Sequence, residues 1–167
     1  MPRLLLPMSM LSLLSIGAIF GFFFAWVCST LWGLDATDPR TAITAMQAMN
    51  ASVRNAVFFP AFFLTPIILG ATAVIAGRQN RRKSAALFGL AAISYFVGAF
   101  LVTATVNVPM NEALAKVVVP TDIEAARSIW QDYSSNWQFW NLLRTVVSGV
   151  CLLLTGFAIY LLERKAV

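Results

Sequence analysis

The sequence predicts an all-α integral membrane protein, a four-helix bundle whose helices 2 and 4 extend into a small outer helical cap. Hydrophobic residues make up 59% of the 167 residues and charged residues only 11%, which is too little polar surface for a soluble domain. A helix crosses a bilayer with about 20 apolar residues. The stretches that carry no charged side chain are 4–34, 55–77, 84–111 and 145–162. Without a repeat or a Gly/Ser-rich linker, residues 1–167 are expected to form one membrane domain.

The first predicted span, 4–34, begins just after Arg3, as a signal peptide would. Its uncharged run is about twice as long as a usual signal core, and no small-x-small cleavage motif precedes Asp35. We therefore expect a retained helix. Gly17 and Gly21 begin a ridge of small residues on one face, where a neighbouring helix or a second copy of the chain can pack closely. This face is the predicted contact if the chain forms a homo-oligomer.

The second span, 55–77, is preceded by an outer helical segment at 39–54. Asp38 is a suitable N-cap and Pro39 a suitable first residue for this segment. Apolar residues then recur every three or four positions, so we expect the helix to start above the membrane and to run on into it. Pro60 and Pro66 are expected to kink it, because proline leaves a carbonyl of the preceding turn unbonded.

The third span, 84–108, is predicted to end at Pro109, which would leave Asn107 and Asn111 on irregular backbone. The fourth span, 141–162, continues an outer segment at 122–140. Thr121 and Glu124 have the spacing of a capping box at its start.

Positive charge is concentrated in the short loop between the second and third spans. Arg78, Arg81, Arg82 and Lys83 lie there, and Arg3, Arg164 and Lys165 lie near the chain ends. The positive-inside rule then predicts cytoplasmic N- and C-termini, in a bacterial inner membrane. We interpret this loop as a determinant of topology. Its alternative role in binding nucleic acid or lipid headgroups has no supporting motif, so the expected surroundings are the lipid bilayer, with no nucleic-acid partner.

The sequence predicts no metal and no cofactor. It contains no histidine, which excludes most haem, iron, zinc and copper sites. Cys28 and Cys151 fall within spans and are expected to be buried as small hydrophobic residues. Met46, Met49 and Met110 form the alternative, a thioether copper site, but they also have the spacing of helix packing.

Polar residues follow one face of the fourth helix and one stripe of the second. The first set is Trp137, Asn141, Arg144, Ser148, Cys151 and Thr155, and the second is Gln47, Asn50, Arg54, Thr65 and Thr72. A guanidinium needs partners inside a bundle, so we predict that Arg144 faces the interior and contacts an amide or acid of another helix. The candidates are Asn107, Asn111, Asn50 and Asp35. The alternative is an aromatic belt of Trp32, Trp137 and Trp140, with Arg144 snorkelling to the interface.

The chain resembles the anthrone-oxygenase-like family of four-helix membrane proteins. The resemblance rests on Asn107-Val108-Pro109-Met110-Asn111 with Leu114, on Trp137-x-x-Trp140-Asn141-x-x-Arg144, and on a Gly/Phe-rich first helix ending in Trp32-Gly33-Leu34. Members of that family are associated with oxidation of anthrones to anthraquinones, without metal or flavin.

This resemblance implies a site for a small apolar or aromatic substrate in a cavity at the outer leaflet. The implied catalytic residues are Arg144, Asn141, Asn107 and Asn111, and the implied substrate-binding residues are Trp137, Trp140, Asn50, Arg54 and Trp32. The general base is left open among Glu112, Asp35 and Asp132.

Three functions stay open at the level of the sequence. The first is a cofactor-independent oxygenase, the second is a non-catalytic subunit or assembly partner of a larger membrane complex, and the third is a lipid or small-molecule binder or exporter. An enzyme predicts a cavity that reaches Arg144, whereas a subunit predicts that partner chains cover apolar faces such as the Gly17 ridge. An exporter would be expected to carry more polar residues at the midplane.

Overall fold

The computed structural model describes residues 2–163, with the side chains of residues 4–162, and this part of the chain contains helices and no strand. The α-helices are α1 (Pro2–Ala25), α2 (Leu31–Asp35), α3 (Pro39–Ser52), α4 (Phe58–Arg78), α5 (Arg82–Tyr95), α6 (Val108–Ala115) and α7 (Ile123–Glu163). Wider π-helical turns at Trp26–Thr30, Phe96–Leu101 and Thr103–Asn107 join α1 to α2 and α5 to α6. The side chain of Arg3, and Arg164 and Lys165, on which the topology prediction relies, lie outside the described residues.

Among the described residues, four helical units are long and apolar enough to cross a membrane, which confirms the predicted fold class. They are Leu4–Asp35, Phe58–Arg78, Arg82–Ala115 and Ile123–Leu162. Their facing sides form one apolar core that includes Ile16, Phe23, Leu69, Phe88 and Tyr95. Hydroxyl groups inside this bundle form hydrogen bonds within their own helix or with a neighbouring helix. The Ser12 and Thr72 hydroxyls, for example, are hydrogen-bonded to each other at 2.9 Å.

A second apolar cluster lies at the end of the bundle remote from the basic loop, which we call the cap end. It joins Leu31 of α2, Ile43 and Met46 of α3, Leu114 of α6 and Trp130 of α7. The Gln47 amide links α3 to the end of α6 by donating to two backbone carbonyls, each at 2.9 Å. The cap is therefore a packed layer over the four-helix bundle.

The second predicted helix is interrupted, contrary to expectation. α3 ends at Ser52 and α4 begins at Phe58, because the Asn55 side-chain oxygen accepts hydrogen bonds from the backbone N–H groups of Val57 and Phe58, at 2.8 and 2.9 Å. Pro60 thus falls in the first turn of α4, where its missing N–H removes no bond. Pro66 does leave the Phe62 carbonyl without its helical hydrogen bond, and this carbonyl accepts one from the Tyr95 hydroxyl at 3.0 Å instead.

Two other local predictions were wrong and one is confirmed. Asp38 caps α3 as predicted, with its side chain accepting from the Arg40 N–H at 2.9 Å. The cap of α7 is Asp122 rather than Thr121, because Asp122 Oδ1 accepts from the Ala125 N–H at 2.8 Å. Pro109 lies at the start of α6 instead of ending a helix, so the chain continues through Asn107 and Asn111 without irregular backbone.

The two cysteines differ in burial, and the prediction for Cys28 was wrong. Cys151 is fully buried and its thiol donates to the Ala91 carbonyl at 3.3 Å. Cys28 lies exposed in the π-helical turn after α1. Both are free thiols.

Candidate functional site

A cavity of ≈ 220 Å³ lies at the level where the bundle meets its cap. Its walls are mainly aromatic and its polar groups come from α3, α6, α7 and the turn before α6. The lining residues are Phe22, Phe23, Trp26, Met49, Asn50, Val53, Arg54, Phe58, Phe59, Phe62, Phe63, Thr103, Asn107, Val108, Asn111, Trp137 and Arg144. Such a site, apolar with a few converging polar groups, is typical of small-ligand sites.

Arg144 is the buried charged group of this cavity wall and is only 4% exposed. Its guanidinium donates to Thr103 Oγ1 and to Asn141 Oδ1, each at 3.1 Å, and its carbon lies over the rings of Phe23 and Trp137, at 4.6 and 5.2 Å from their centroids. The partner from another helix is therefore a hydroxyl, and the predicted amide or acid partner was wrong. Nε has no hydrogen-bond partner within the described part of the chain.

Asn141 positions the guanidinium instead of lining the cavity. Its Nδ2 donates to the Phe23 carbonyl at 3.1 Å, so its Oδ1 is turned towards Arg144. The amide thereby connects α1 to α7. Because one amide satisfies both contacts, it fixes the direction in which the Arg144 fork points.

Asn107 ends the π-helical turn Thr103–Asn107 and is 1% exposed. Neither its Nδ2 nor its Oδ1 has a hydrogen-bond partner among residues 4–162. Buried polar groups are nearly always paired, so the Asn107 amide is an exception among the described residues. π-helical turns are also frequent at functional sites.

Asn111 belongs to a hydrogen-bonded chain at the cap side of the cavity. Its Oδ1 accepts from the Tyr133 hydroxyl at 2.8 Å and from Trp137 Nε1 at 3.0 Å, and Asn50 Nδ2 donates to the Tyr133 hydroxyl at 3.1 Å. This chain orients the Trp137 ring, which packs on Trp26 with centroids 5.0 Å apart. Nearby, Arg54 lines the cavity and forms an exposed ion pair with Glu112.

Two tryptophans and two acids of the predicted site lie elsewhere. Trp32 is 64% exposed, as the aromatic-belt alternative expects, and Trp140 is half-buried against Phe139, outside the cavity. The Asp35 carboxylate accepts three bonds, from Trp130 Nε1, Ser134 and Gln138, at 2.7 to 2.9 Å. With Asp132 it lines a separate groove of the cap.

Sequence reasoning missed Thr103 and Tyr133, which hold site residues in place. Thr103 precedes Asn107 by four positions, and Tyr133 precedes Trp137 by four, so each shares a helical face with a predicted residue. That spacing was the available signal. The contribution of Phe23 was not visible in the sequence, because it depends on how α1 packs against α7.

A family model described as anthrone oxygenase matches residues 48–154. The chain belongs to the anthrone oxygenase family. The match covers more than half of the sequence and includes the Asn107–Asn111 and Trp137–Arg144 motifs. The Trp32-Gly33-Leu34 motif precedes the matched residues. No curated protein and no solved structure matches this anthrone oxygenase family member.

Proposed function

We propose that this chain binds a flat, apolar aromatic ketone of the anthrone type in the cavity and promotes its oxidation by dioxygen without a cofactor. The observation that carries the proposal is that two residues of an aromatic-walled cavity, Asn107 and Arg144, have buried polar atoms without a partner among the described residues. A ketone or enolate oxygen accepts hydrogen bonds from such donors, and rings such as Phe23 and Trp137 provide flat apolar surface for the rest of the molecule.

The reaction balances with dioxygen as the only co-reactant. Loss of a proton from the CH₂ group opposite the ketone gives a carbanion whose charge is delocalised onto the ketone oxygen. This carbanion reduces dioxygen, and the new C–O bond gives a hydroperoxide once a proton is returned. Loss of the second C–H proton with cleavage of the O–O bond then releases water and leaves the second carbonyl of an anthraquinone.

Residues around the cavity have distinct roles in this scheme. Arg144 and Asn107 stabilise the developing oxyanion, while Thr103 and Asn141 hold Arg144 in place. The aromatic walls exclude water, which would otherwise compete for the oxyanion. We assign the base to Glu112, because its partner Arg54 lines the cavity, whereas Asp35 and Asp132 line a separate groove.

Oxygen uptake and anthraquinone absorbance with anthrone as substrate test this function, after subtraction of uncatalysed oxidation in protein-free micelles. Arg144→Lys keeps the charge and loses the planar fork, so turnover should fall about 100- to 1,000-fold, the usual effect of losing one oxyanion donor. Arg127→Lys is the matched control, because Arg127 lies on the same helix, does not line the cavity, and forms an exposed ion pair with Glu124 that lysine preserves. Equal turnover in the two variants, or wild-type turnover no faster than the background, would rule out this function.

The subunit alternative finds support on one surface of α1. A Cβ on Gly17 would meet Leu152 of α7 at 3.8 Å, but a Cβ on Gly21 would meet nothing within 4 Å, and Gly21 and Ala25 are exposed. A second copy or another membrane protein fits such a face of small residues. Cross-linking in native membranes, compared between wild type and Gly21→Leu, tests this contact. A lipid binder or exporter would instead bind anthraquinone or lipid without oxygen uptake.

A further inference from the structure

A groove of ≈ 480 Å³ runs along the outside of the bundle between α1 and α4, beside the cavity. The groove and the cavity share five lining residues, Phe22, Trp26, Met49, Val53 and Phe58. The two spaces therefore lie on opposite sides of one thin wall. The groove opens where α4 begins, at the cap end of the second span.

Two aromatic rings form the centre of this wall. Phe22 of α1 and Phe58 of α4 lie with ring centroids 4.7 Å apart and tilted by 45°. Phe58 is the first residue of α4, directly after the turn at 53–57, and the neighbouring Val57 is 85% exposed. A ring at a helix end beside a turn needs only side-chain rotation and small backbone shifts to move.

The other approaches to the cavity are more firmly closed. On the cap side, the hydrogen-bonded chain from Asn50 through Tyr133 to Asn111 crosses the approach to the cavity. The Gln47 amide also links α3 to the end of α6 there. A second lipid-side groove, between α4 and α5, shares only Phe63 with the cavity. Opening the wall at Phe22 and Phe58 breaks only aromatic contacts of these two side chains, because phenylalanine side chains form no conventional hydrogen bonds.

We propose that the α1/α4 groove is a lateral entry site, through which a flat apolar aromatic molecule dissolved in the bilayer passes between Phe22 and Phe58 into the cavity. The ligand class follows from the groove itself, which is lined mainly by aromatic and aliphatic side chains and reaches from the first two spans to the turn before α4. An apolar ring partitions into hydrocarbon, so its concentration beside the groove exceeds that in water. The entry site rests on the proposed function, since its ligand is the proposed substrate.

Plugging the groove without touching the cavity tests this route. Ala61 of α4 and Ala18 of α1 line the groove and are not among the cavity residues. Ala61→Phe and Ala18→Phe fill it without adding a fluorescent indole, and Ala18, which is exposed, tolerates the change if Ala61 does not. Ala92→Phe is the matched control, because Ala92 is half-buried like Ala61 and lines the other groove.

The probe is 9,10-anthraquinone in detergent micelles, and the signal is quenching of tryptophan fluorescence in the full-length protein. A plug in an entry path slows association and dissociation equally, so both rates should fall about tenfold in the two groove variants while Kd stays unchanged. The Ala92→Phe rates should equal those of wild type.

The outcomes separate the entry site from the function on which it depends. Wild-type rates in both groove variants, or slowing by Ala92→Phe alone, would overturn the α1/α4 route and leave the function standing. A raised Kd with an unchanged association rate would also overturn it, because the groove would then be part of the binding site. Absence of anthraquinone binding by the wild-type protein would remove both proposals.

Discussion

Asparagine-to-leucine substitutions at positions 107 and 141 should change stability in opposite directions. Both side chains are 1% exposed, so a difference in burial cannot explain a difference in outcome. Asn107 makes no hydrogen bond within the described residues, whereas Asn141 donates to the Phe23 carbonyl and accepts from Arg144, each at 3.1 Å. The two sites therefore compare an unpaired amide with a paired one.

The expected magnitudes follow from the pairing. A buried polar group without a partner costs about 1–3 kcal/mol, so removing the Asn107 amide should raise the free energy of unfolding by at least about 1 kcal/mol. Asn107 belongs to the wall of the ≈ 220 Å³ cavity, so a small shift of that wall accommodates the larger leucine. At position 141 leucine leaves the Phe23 carbonyl and an Arg144 N–H unpaired, which should lower the free energy of unfolding by about 2 kcal/mol or more.

Thermal unfolding of the detergent-solubilised protein measures both changes. For a chain of this size 1 kcal/mol corresponds to roughly 2–4 °C in Tm, so Asn107→Leu should unfold a few degrees above wild type and Asn141→Leu several degrees below. Asn107→Ala removes the same amide without adding apolar surface, which separates relief of the unpaired group from new packing. Under the proposed function, all three variants lose anthrone turnover.

A lower Tm for Asn107→Leu, similar in size to that of Asn141→Leu, would refute this reasoning. It would mean that the Asn107 amide is paired in the protein and is not held ready for a ligand. A gain of stability together with a loss of turnover would instead identify Asn107 as a residue retained for function at a cost in stability.

Two smaller changes in stability and one topology result are also expected. The Arg40 guanidinium lowers the pKa of Asp38 from 3.8 to about 2. The ion pair therefore stabilises the folded state fully above pH 3.8, and this stabilisation is lost as the pH falls through about 2. Asp38→Asn keeps the cap but not the ion pair, so its Tm should lie below that of wild type above pH 3.8 and should equal it at about pH 2. Asn55→Ala removes the α4 cap and should cost about 1 kcal/mol in thermal unfolding, whereas Ser52→Ala should cost less. A reporter fused after Val167 should be active only on the cytoplasmic side, and activity on the outer side alone would reverse the predicted topology.

Periodicity in the sequence was sufficient for the fold class and for the buried face of the fourth helix. All six residues of the polar stripe from Trp137 to Thr155 are buried in the structure, because α7 keeps an unbroken α-helical period along its length. The same reasoning failed where the period changes. The break at 53–57 depends on one asparagine cap, and Asn107 lies in a π-helical turn whose pitch no 3.6-residue pattern predicts.

Sequence reasoning named several polar residues of the cavity wall and one aromatic residue, Trp137, but none of its phenylalanines. Asn107 and Arg144 stand out because polar groups are rare and costly inside an apolar span, so their presence requires a reason. Phenylalanine, by contrast, occurs 13 times in this chain and is equally suited to lipid, core and cavity. Only packing distinguishes Phe22 and Phe58 from the others, through the 4.7 Å contact that separates groove from cavity.

The contrast between the polar and the aromatic residues of the cavity wall has a consequence for substrate selection in related chains. Under the proposed function, Arg144 and Asn107 would bond the oxygen of a bound ring in the same way whatever the remainder of the molecule looks like. Under the proposed entry route, the size of the molecule that reaches these two residues would be set by the aromatic wall between α1 and α4. Variation at Phe22 and Phe58 would therefore alter which ring systems enter, while variation at Arg144 would alter whether any of them reacts.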